Sequence, residues 1–344
     1  MSAISSLSSF LQNINLVQNA QNQIAKLTYQ VDTGLKSEDL QGYGTQANQL
    51  LNLQGAQSTE QSYVSNNTQI HTFLSAYDTT LGQVSSDATK LVGALDAFTV
   101  TDPNSIANLK ALVKGLQVDV AATLNMQVGG RFLYSGTRYT TQPVGDLTAA
   151  AQQLAAPVPN PAAIPPTTFT PVTATSVPTY DNQASTINVT PPATQTAAQA
   201  QLGAQAYQTQ NATISTNQQI TYGISSNDPS FQNLISALQN ALGAVGATGA
   251  TQAQFLQNAS DQVQAALTGI QGLKGTNGTA ETLVANANAL HNQTLATLQS
   301  QVTTITQVDP ATVATELSSA QTQLEGSYKV VSSVLNETLL NYLK

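Results

Sequence analysis

The side chains that could do catalytic or metal chemistry in this sequence are two histidines and a few scattered carboxylates. His71 and His291 lie far apart, and neither has the H-E-x-x-H spacing that puts two imidazoles on one helix face around zinc. We expect both histidines to be exposed on helices. The adjacent acids Glu38 and Asp39 follow a predicted helix end, where they solvate a joint rather than bind an ion. The sequence therefore predicts no catalytic residue, no cofactor and no metal site.

The composition excludes several further classes of function. Charged residues make up 8% of the chain and its formal net charge is −8, whereas about 25% charged residues is usual in soluble domains. No Lys or Arg lies between Arg138 and Lys274, so the chain lacks the cations that bind nucleic-acid phosphates or anionic membranes. The absence of cysteine rules out disulfides and thiolate chemistry. No run approaches the roughly 20 apolar residues of a membrane span, and we expect no cleaved signal peptide.

The most unusual cluster is the segment GGRFLYSGTR at residues 129–138, which holds both arginines of the chain, Arg131 and Arg138. Phe132 and Tyr134 alternate with smaller or polar neighbours, as the residues of a short strand do. Glycines on both sides permit tight turns. The segment therefore predicts a hairpin that leaves a helix, and we expect Arg131 to pair with a nearby carboxylate.

Both ends of the chain predict long amphipathic helices. Near the N-terminus apolar residues recur at spacings of three and four, with one slip, at Ile4, Leu7, Leu11, Ile14, Val17, Ile24, Leu27 and Val31. Near the C-terminus the same spacing runs through Leu317, Ala320, Leu324, Tyr328, Val331, Leu335, Leu339 and Tyr342. Such spacing places the residues on one helix face, and a period near 3.5 favours a coiled-coil seam. The two seams suggest that the ends meet each other or copies of themselves, which favours an assembling subunit over a catalyst.

Further helices are predicted between the two ends. The first helix should end near Gly34, and a second should begin near Thr45. The clearest repeat of the second helix is Ile70, Leu74, Tyr77, Leu81, Val84, Ala88, Leu91, Leu95 and Phe98. Three Asp-Pro pairs predict helix starts, because Asp caps free N–H groups and Pro fits the first turn. These pairs lie at 102–103, 228–229 and 309–310. Separate helices are then expected over 230–245, 253–274 and 281–305.

The centre of the chain has a different texture. Ten of the 13 prolines lie between Pro143 and Pro192, with Thr and Ala around them. Short β-like runs occur at 167–170, 186–189, 212–215 and 219–222. We interpret the centre as a small β-rich insert with loose connections; a disordered Pro/Thr/Ala loop is the alternative.

The predicted fold is mainly α: an elongated coiled-coil or helical bundle formed by N- and C-terminal segments, with a small β-rich inserted domain. The predicted domains are a terminal coiled-coil assembly domain, a helical rod domain and a variable insert. They comprise residues 1–44 with 306–344, residues 45–141 with 224–305, and residues 142–223.

Four segments resemble a known family. Gly130, Arg131, Phe132, Tyr134 and Gly136 belong to GRFLYSGT at 130–137, which resembles the segment ending the first helical half of bacterial flagellar hook–filament junction proteins (hook-associated protein 3). The C-terminal TQLEGSY and LNYL resemble the terminus shared with flagellins. VDTGLKS at 31–37 and QITYG at 219–223, followed by Asp-Pro, resemble the family's helix stop and its return from the variable domain. The Ser-rich N-terminus departs from the family's usual start.

The resemblance implies a structural subunit of the bacterial flagellum, an adaptor at the hook–filament junction on which the filament is built. It implies export by the flagellar type III apparatus to the extracellular flagellum without cleavage of a signal peptide. The implied partners are copies of itself, a neighbouring hook-associated protein, flagellin, and an export chaperone that holds the C-terminal seam. Nucleic acid and membrane insertion are not among them. Filament flagellin is the alternative, and a secreted coiled-coil adhesin or effector is a further one.

Overall fold

Helices dominate the structure. The computed structural model describes residues 2–140, 142–148, 209–226 and 228–342, with side chains for residue 12 and for residues 14–333 within those ranges. These residues form six α-helices, a short 3-10 helix and four short strands. The prediction of a mainly α fold with a small β component is confirmed. The runs predicted as strands at 167–170 and 186–189 lie outside the described residues.

The elements follow one another with short connections. Helices α1 to α6 span Ser2–Thr33, Ala47–Asp96, Pro103–Leu124, Pro229–Gly246, Gly249–Thr306 and Pro310–Tyr342. Strands β1 to β4 span Gln127–Val128, Arg131–Phe132, Gln210–Ser215 and Gln218–Tyr222. The 3-10 helix over Leu40–Gln46 leads into α2 close to its predicted start. The strands pair as two antiparallel hairpins, β1–β2 and β3–β4.

The chain divides into two compact units. The first comprises Met1–Ser62 and His291–Lys344, and so contains α1, α6 and the adjoining parts of α2 and α5. The second comprises Tyr63–Leu290, and so contains α3, α4, the hairpins and the rest of α2 and α5. The domain limits predicted after residues 44, 141, 223 and 305 stay predictions.

The three Asp-Pro pairs begin helices as predicted. Asp102, Asp228 and Asp309 each accept a hydrogen bond from the backbone N–H two residues on, at 2.9, 2.9 and 3.1 Å. These bonds satisfy N–H groups that have no partner inside the helix. The Thr312 hydroxyl also donates to Asp309, and the two kinds of hydrogen bond hold the pKa of this carboxyl below its usual value.

The core of the second unit lies where the apolar stripes of α2, α3, α4 and α5 meet. Helix α4 is central to it, because every residue from Ser230 to Ala241 is buried. Its fully buried apolar side chains include Leu81, Leu91, Val113, Leu124, Phe231, Leu234, Leu238 and Ile270. Helices from the second half of the sequence therefore pack on those from the first, as a narrow stripe on each helix requires.

Helix α5 corrects the prediction of separate helices over 253–274 and 281–305. It is one helix of 58 residues, although Gly275 and Gly278 lie in its middle. Two contacts compensate for the low helix propensity of glycine. The side-chain amide of Asn277 donates to Leu74 O of α2 at 2.9 Å, and Ala280 is buried against α2 in an apolar cluster. Tertiary packing thus carries the helix through a segment that sequence propensity would interrupt.

The β3–β4 hairpin packs on α2 and α5. Its Ile214 and Ile220 join Ile70, Leu74 and Val284 in one buried cluster. Strands predicted at 212–215 and 219–222 are thereby confirmed. This part of the predicted insert is integral to the helical core of its unit, because its apolar face has no other place to be buried.

Two glycine substitutions should have opposite effects on the free energy of unfolding. Gly278→Ala should raise the free energy of unfolding by about 0.5–1 kcal/mol, because a Cβ there would meet no atom within 4 Å. Gly243→Ala in α4 should lower it, because its Cβ would lie 2.5 Å from the buried Phe255 ring. Urea unfolding followed by circular dichroism measures both. A destabilising Gly278→Ala would show that the helix is broken there.

Candidate assembly site

The paired terminal helices form the candidate assembly site. In the first unit α1 packs along α6 around Leu27, Val313 and Ala320, which are 4%, 5% and 4% exposed. Ile24, Val308 and Leu317 are partly buried beside them. Farther along, the Gln21 side chain donates to the Tyr328 hydroxyl at 2.9 Å. The two ends of the chain therefore meet each other, as the two sequence seams suggested.

Backbone hydrogen bonds fix the register of this pair. Gly34, at a φ of 70°, ends α1 as predicted. Its carbonyl accepts from Val308 N at 3.0 Å, and Lys36 N donates to Thr306 O at 2.8 Å. Leu35 and Gln307 form an antiparallel bridge between these bonds. These hydrogen bonds join the turn after α1 to the turn before α6. They therefore fix which residues of the two helices face each other.

The predicted seam residues differ in how far this pair covers them. Leu27 is buried, and Ile14, Val17, Ile24, Leu324 and Val331 are half-buried. Val31 and Tyr328 are 37% and 48% exposed. Leu16 and Val330, which the seams did not include, are 60% and 55% exposed. The side chains of Ile4, Leu7, Leu11, Leu335, Leu339 and Tyr342 lie outside those that are described. Two helices alone therefore leave apolar surface uncovered along the seam.

Two partners of the N-terminal seam were missed by the sequence analysis. Val308 and Val313 pack near Leu27, yet the predicted C-terminal seam began only at Leu317. The signal was present, because Val313, Leu317, Ala320 and Leu324 continue the spacing of four and three.

His291 corrects a second prediction. It is 4% exposed rather than exposed, and its Nδ1 lies 2.5 Å from Glu60 Oε2 of α2. The inner stripe of α5 runs through Val284, Ala287 and His291, whereas Leu283 and Leu290 are 37% and 61% exposed. Small side chains take the inner face here because the two helices pack closely.

His71, by contrast, is exposed as predicted. Asp39 caps the 3-10 helix by accepting from Gly42 N at 3.1 Å, in keeping with a structural role at the joint.

The cluster at 129–138 forms a hairpin, as predicted, and then enters the core. Gly129 and Gly130 have φ values of 59° and 76° in the two-residue turn between β1 and β2. Positive φ at both positions is the geometry that this turn requires and that glycine adopts without strain. Phe132 is half-buried beside the turn, and Gly136, at a φ of 62°, reverses the chain again.

No carboxylate among the described residues pairs with Arg131, which corrects the expectation for it. Its guanidinium carbon lies 3.5 Å from the Tyr139 ring centroid and 5.0 Å from that of Phe73. Its terminal nitrogen donates to Gln210 Oε1 at 3.1 Å, and the Tyr222 hydroxyl donates to the same oxygen at 2.9 Å. Among the described residues, Arg131 thus joins the chain leaving for the insert to the strand returning from it.

Tyr134 anchors the same segment in the core. Its ring packs edge-to-face on Tyr77 and Phe231, with centroids 5.3 Å apart in each pair. Its hydroxyl lies 2.6 Å from the Thr80 hydroxyl, and the Tyr77 hydroxyl donates to Leu133 O. Burial raises the pKa of both tyrosines. The hydroxyls therefore stay protonated hydrogen-bond donors, a structural role.

No reactive constellation accompanies these surfaces. Within the described ranges, no three His, Asp or Glu side chains lie close enough together to hold a metal ion. None of the described helices combines the length and the apolar character needed to cross a membrane. The described surfaces offer apolar side chains and hydrogen-bonding amides and hydroxyls, which are the groups that helix packing uses.

The α1–α6 contact predicts which shortened side chain destabilises the helix pair. Leu27→Ala should destabilise the α1–α6 pair by about 2 kcal/mol or more, because it truncates the largest of the three buried side chains of that contact. Hydrogen exchange should accelerate across 310–333 and stay unchanged in α4. Leu16→Ala, at an exposed position of the same helix, is the matched control and should change neither. Equal effects of the two variants would contradict the pairing.

The aromatic contacts of Arg131 predict that lysine cannot replace it. Arg131→Lys should lower the free energy of unfolding by about 1–2 kcal/mol, because an ammonium lacks the planar stacking surface and reaches Gln210 poorly. Urea unfolding measures the change. Lys110→Arg at an exposed position exchanges the same two cations as a control. An unchanged midpoint for Arg131→Lys would contradict the role assigned to it.

Comparisons with known proteins found a family match for the C-terminal helices and a structural likeness for most of the chain. Residues 260–343 match the family model of the bacterial flagellin C-terminal helical region, which covers α6 and much of α5. A solved structure from Vibrio parahaemolyticus, described as a flagellar hook-associated protein, is similar with a TM-score of 0.50 and 12% identity. The likeness covers 75% of this chain and 96% of that chain, and at this identity it shows a shared fold alone. No curated protein matches the chain. Residues 260–343 are therefore similar to the flagellin C-terminal helical region, and the chain shares its fold with a flagellar hook-associated protein.

Proposed function

We propose that the chain is the adaptor at the hook–filament junction on which the filament is built. The observation that carries an assembly role is the incompletely covered seam of α1 and α6. Val31 and Tyr328 of the seams are 37% and 48% exposed, and Leu16 and Val330 on the same two helices are 60% and 55% exposed. Packing against further helices would bury these apolar side chains. The neighbours that cover it are copies of this chain, a hook-associated protein and flagellin.

The driving force for this assembly is apolar burial. Each Å² of apolar surface removed from water contributes about 25 cal/mol, against the conformational entropy of ordering the terminal segments. The low charge of the chain, 8% of residues, keeps electrostatic repulsion between packed copies small. Because one partner helix covers only part of the stripe, each further neighbour that buries the rest stabilises the assembly.

The choice of junction over filament rests on the segment at 130–137, which resembles that of junction proteins. Arg131 and Tyr134 link the helical core to both ends of the insert. Within this proposal, residues 1–44 with 306–344 form the assembly domain and residues 45–141 with 224–305 the rod. Residues 142–223 form the variable insert on the outside of the flagellum, anchored to the rod helices by the β3–β4 hairpin.

The proposal includes the route by which the chain reaches the flagellum. The type III apparatus exports it without cleaving a signal peptide, and a chaperone holds the C-terminal seam beforehand. The seam consists of Leu324, Tyr328, Val331, Leu335, Leu339 and Tyr342. A chaperone is required because an uncovered apolar stripe would otherwise associate inside the cell.

Charge on the seam tests the assembly role. Leu335→Asp or Leu339→Asp should abolish retention of filaments on hooks, because burying a carboxylate in an apolar interface is costly. Motility in soft agar and electron microscopy of cells measure this, and immunoblots of the medium confirm that the variant is exported. Ser332→Asp, at an exposed position of the same helix, is the matched control. Normal motility of both leucine variants would count against a buried seam.

Electron microscopy of the purified subunit separates junction protein from flagellin. A junction protein should form at most a short layer, whereas flagellin polymerises alone into micrometre filaments. Long filaments from the purified subunit would exclude the junction role. Deletion of the gene supplies the other arm: motile cells with attached filaments would favour a secreted adhesin or effector instead.

A further inference from the structure

Among the described residues, no strand pairs with the outer edge of β4. On the other side of the hairpin, Asn67 and Asn66 of α2 donate their side-chain amides to Ile214 O and Thr213 O of β3, at 2.9 and 3.3 Å. The hydrogen bonds of β4 that the structure describes all run to β3. An edge of this kind presents backbone N–H and C=O groups that can pair with another strand.

A groove runs along this edge. It has a volume of about 560 Å³ and lies between β4 and the α5 surface around Gly272, Gly275 and Thr276. A Cβ added at either glycine would meet no atom within 4 Å, so the floor of the groove is open. A neighbouring strand lies about 4.8 Å away in a sheet, and the groove adjoins the Gln219–Thr221 part of β4.

Nothing in the sequence protects the edge. Natural edge strands carry lysine, proline or a bulge that prevents pairing with other chains. Residues 209–224 contain no charged residue and no proline. The irregularity in the hairpin lies at Thr213–Ser215 of β3, not in β4. The lining of the groove is also uncharged, so its occupant should be an uncharged strand.

Among the described strands, one remains that could pair with the free edge of β4. The strands β1 and β2 have two residues each, and the β3 edge is capped by asparagines, so β4 is the described strand with a free edge and useful length. We propose that β4 pairs with β4 of a second copy, antiparallel, about a two-fold axis at Ile220. Two hairpins then form one four-stranded sheet. This pairing concerns the free subunit and does not depend on the flagellar role.

The proposed register makes a specific contact pattern. With Ile220 at the centre of the five-residue strand, Gln219 faces Thr221 of the other copy, and the reverse pair is identical. Both side chains are exposed on the face away from the helices. A contact this small lies below the roughly 1,200 Å² of stable interfaces, so the dimer should be weak and visible only at high concentration.

Three double variants test the pairing in the full-length chain. Gln219→Lys with Thr221→Lys places lysine opposite lysine twice, and should weaken dimerisation about tenfold or more. Asn211→Lys with Thr213→Lys is the matched control. It adds the same charge to the same face and breaks the same two hydrogen bonds, Gln219–Thr213 and Thr221–Asn211, but on β3. The control should dimerise like the parent chain.

The third variant, Gln219→Lys with Thr221→Glu, places opposite charges across the axis and should restore the dimer. Sedimentation velocity over a concentration series measures all four proteins at low and high salt, since screening should relieve the lysine repulsion. Association through the helical termini would be equal in all four. A parent chain that stays monomeric, or four proteins that associate equally, would overturn the proposal. A Lys/Glu variant as weak as the double lysine would do the same.

Discussion

The constraint on which the structure depends is that each long helix carries only a narrow apolar stripe. A single stripe cannot be buried by the helix that bears it, so every helix needs a partner. In the second unit α2, α3 and α5 meet around α4, and their stripes form one large buried core. In the first unit two helices meet around Leu27, and their stripe is half-covered. The second unit has enough packed helices to form a buried core, whereas the two helices of the first unit leave apolar surface available for assembly.

Scarcity of charge shapes how the helices are held in register. Hydrogen bonds from amides and hydroxyls take the place that ion pairs hold in many helical proteins. Asn277 donates to the α2 backbone, Asn67 to β3, and Gln21 to Tyr328. Even Arg131 is held by aromatic rings and an amide oxygen. Such contacts are directional yet carry no net charge, so they fix register without repelling neighbouring copies.

Much of the fold was predictable because its signals are local. The Asp-Pro starts, the stop at Gly34 and the stripes of α1 to α4 each depend on residues a few positions apart. The prediction failed where a distant contact decides the outcome. Gly275 and Gly278 predict a break, but α2 packs against this segment and keeps α5 continuous. His291 predicts an exposed side chain, but its helix is turned so that alanines and this histidine face α2. Neither partner can be identified from the surrounding sequence.

The sequence by itself determined the mainly helical architecture and the long helices at both ends, because periodicity, capping and composition are properties of the chain. The tertiary structure decided which seam residues are covered, where Arg131 finds its partners, and that the β3–β4 hairpin belongs to the helical core. These depend on side chains as far apart as Gln21 and Tyr328, whose contact is set by the clasp at Gly34 and Val308. Packing geometry, rather than residue type, therefore decides which surfaces this protein keeps for itself and which it presents to others.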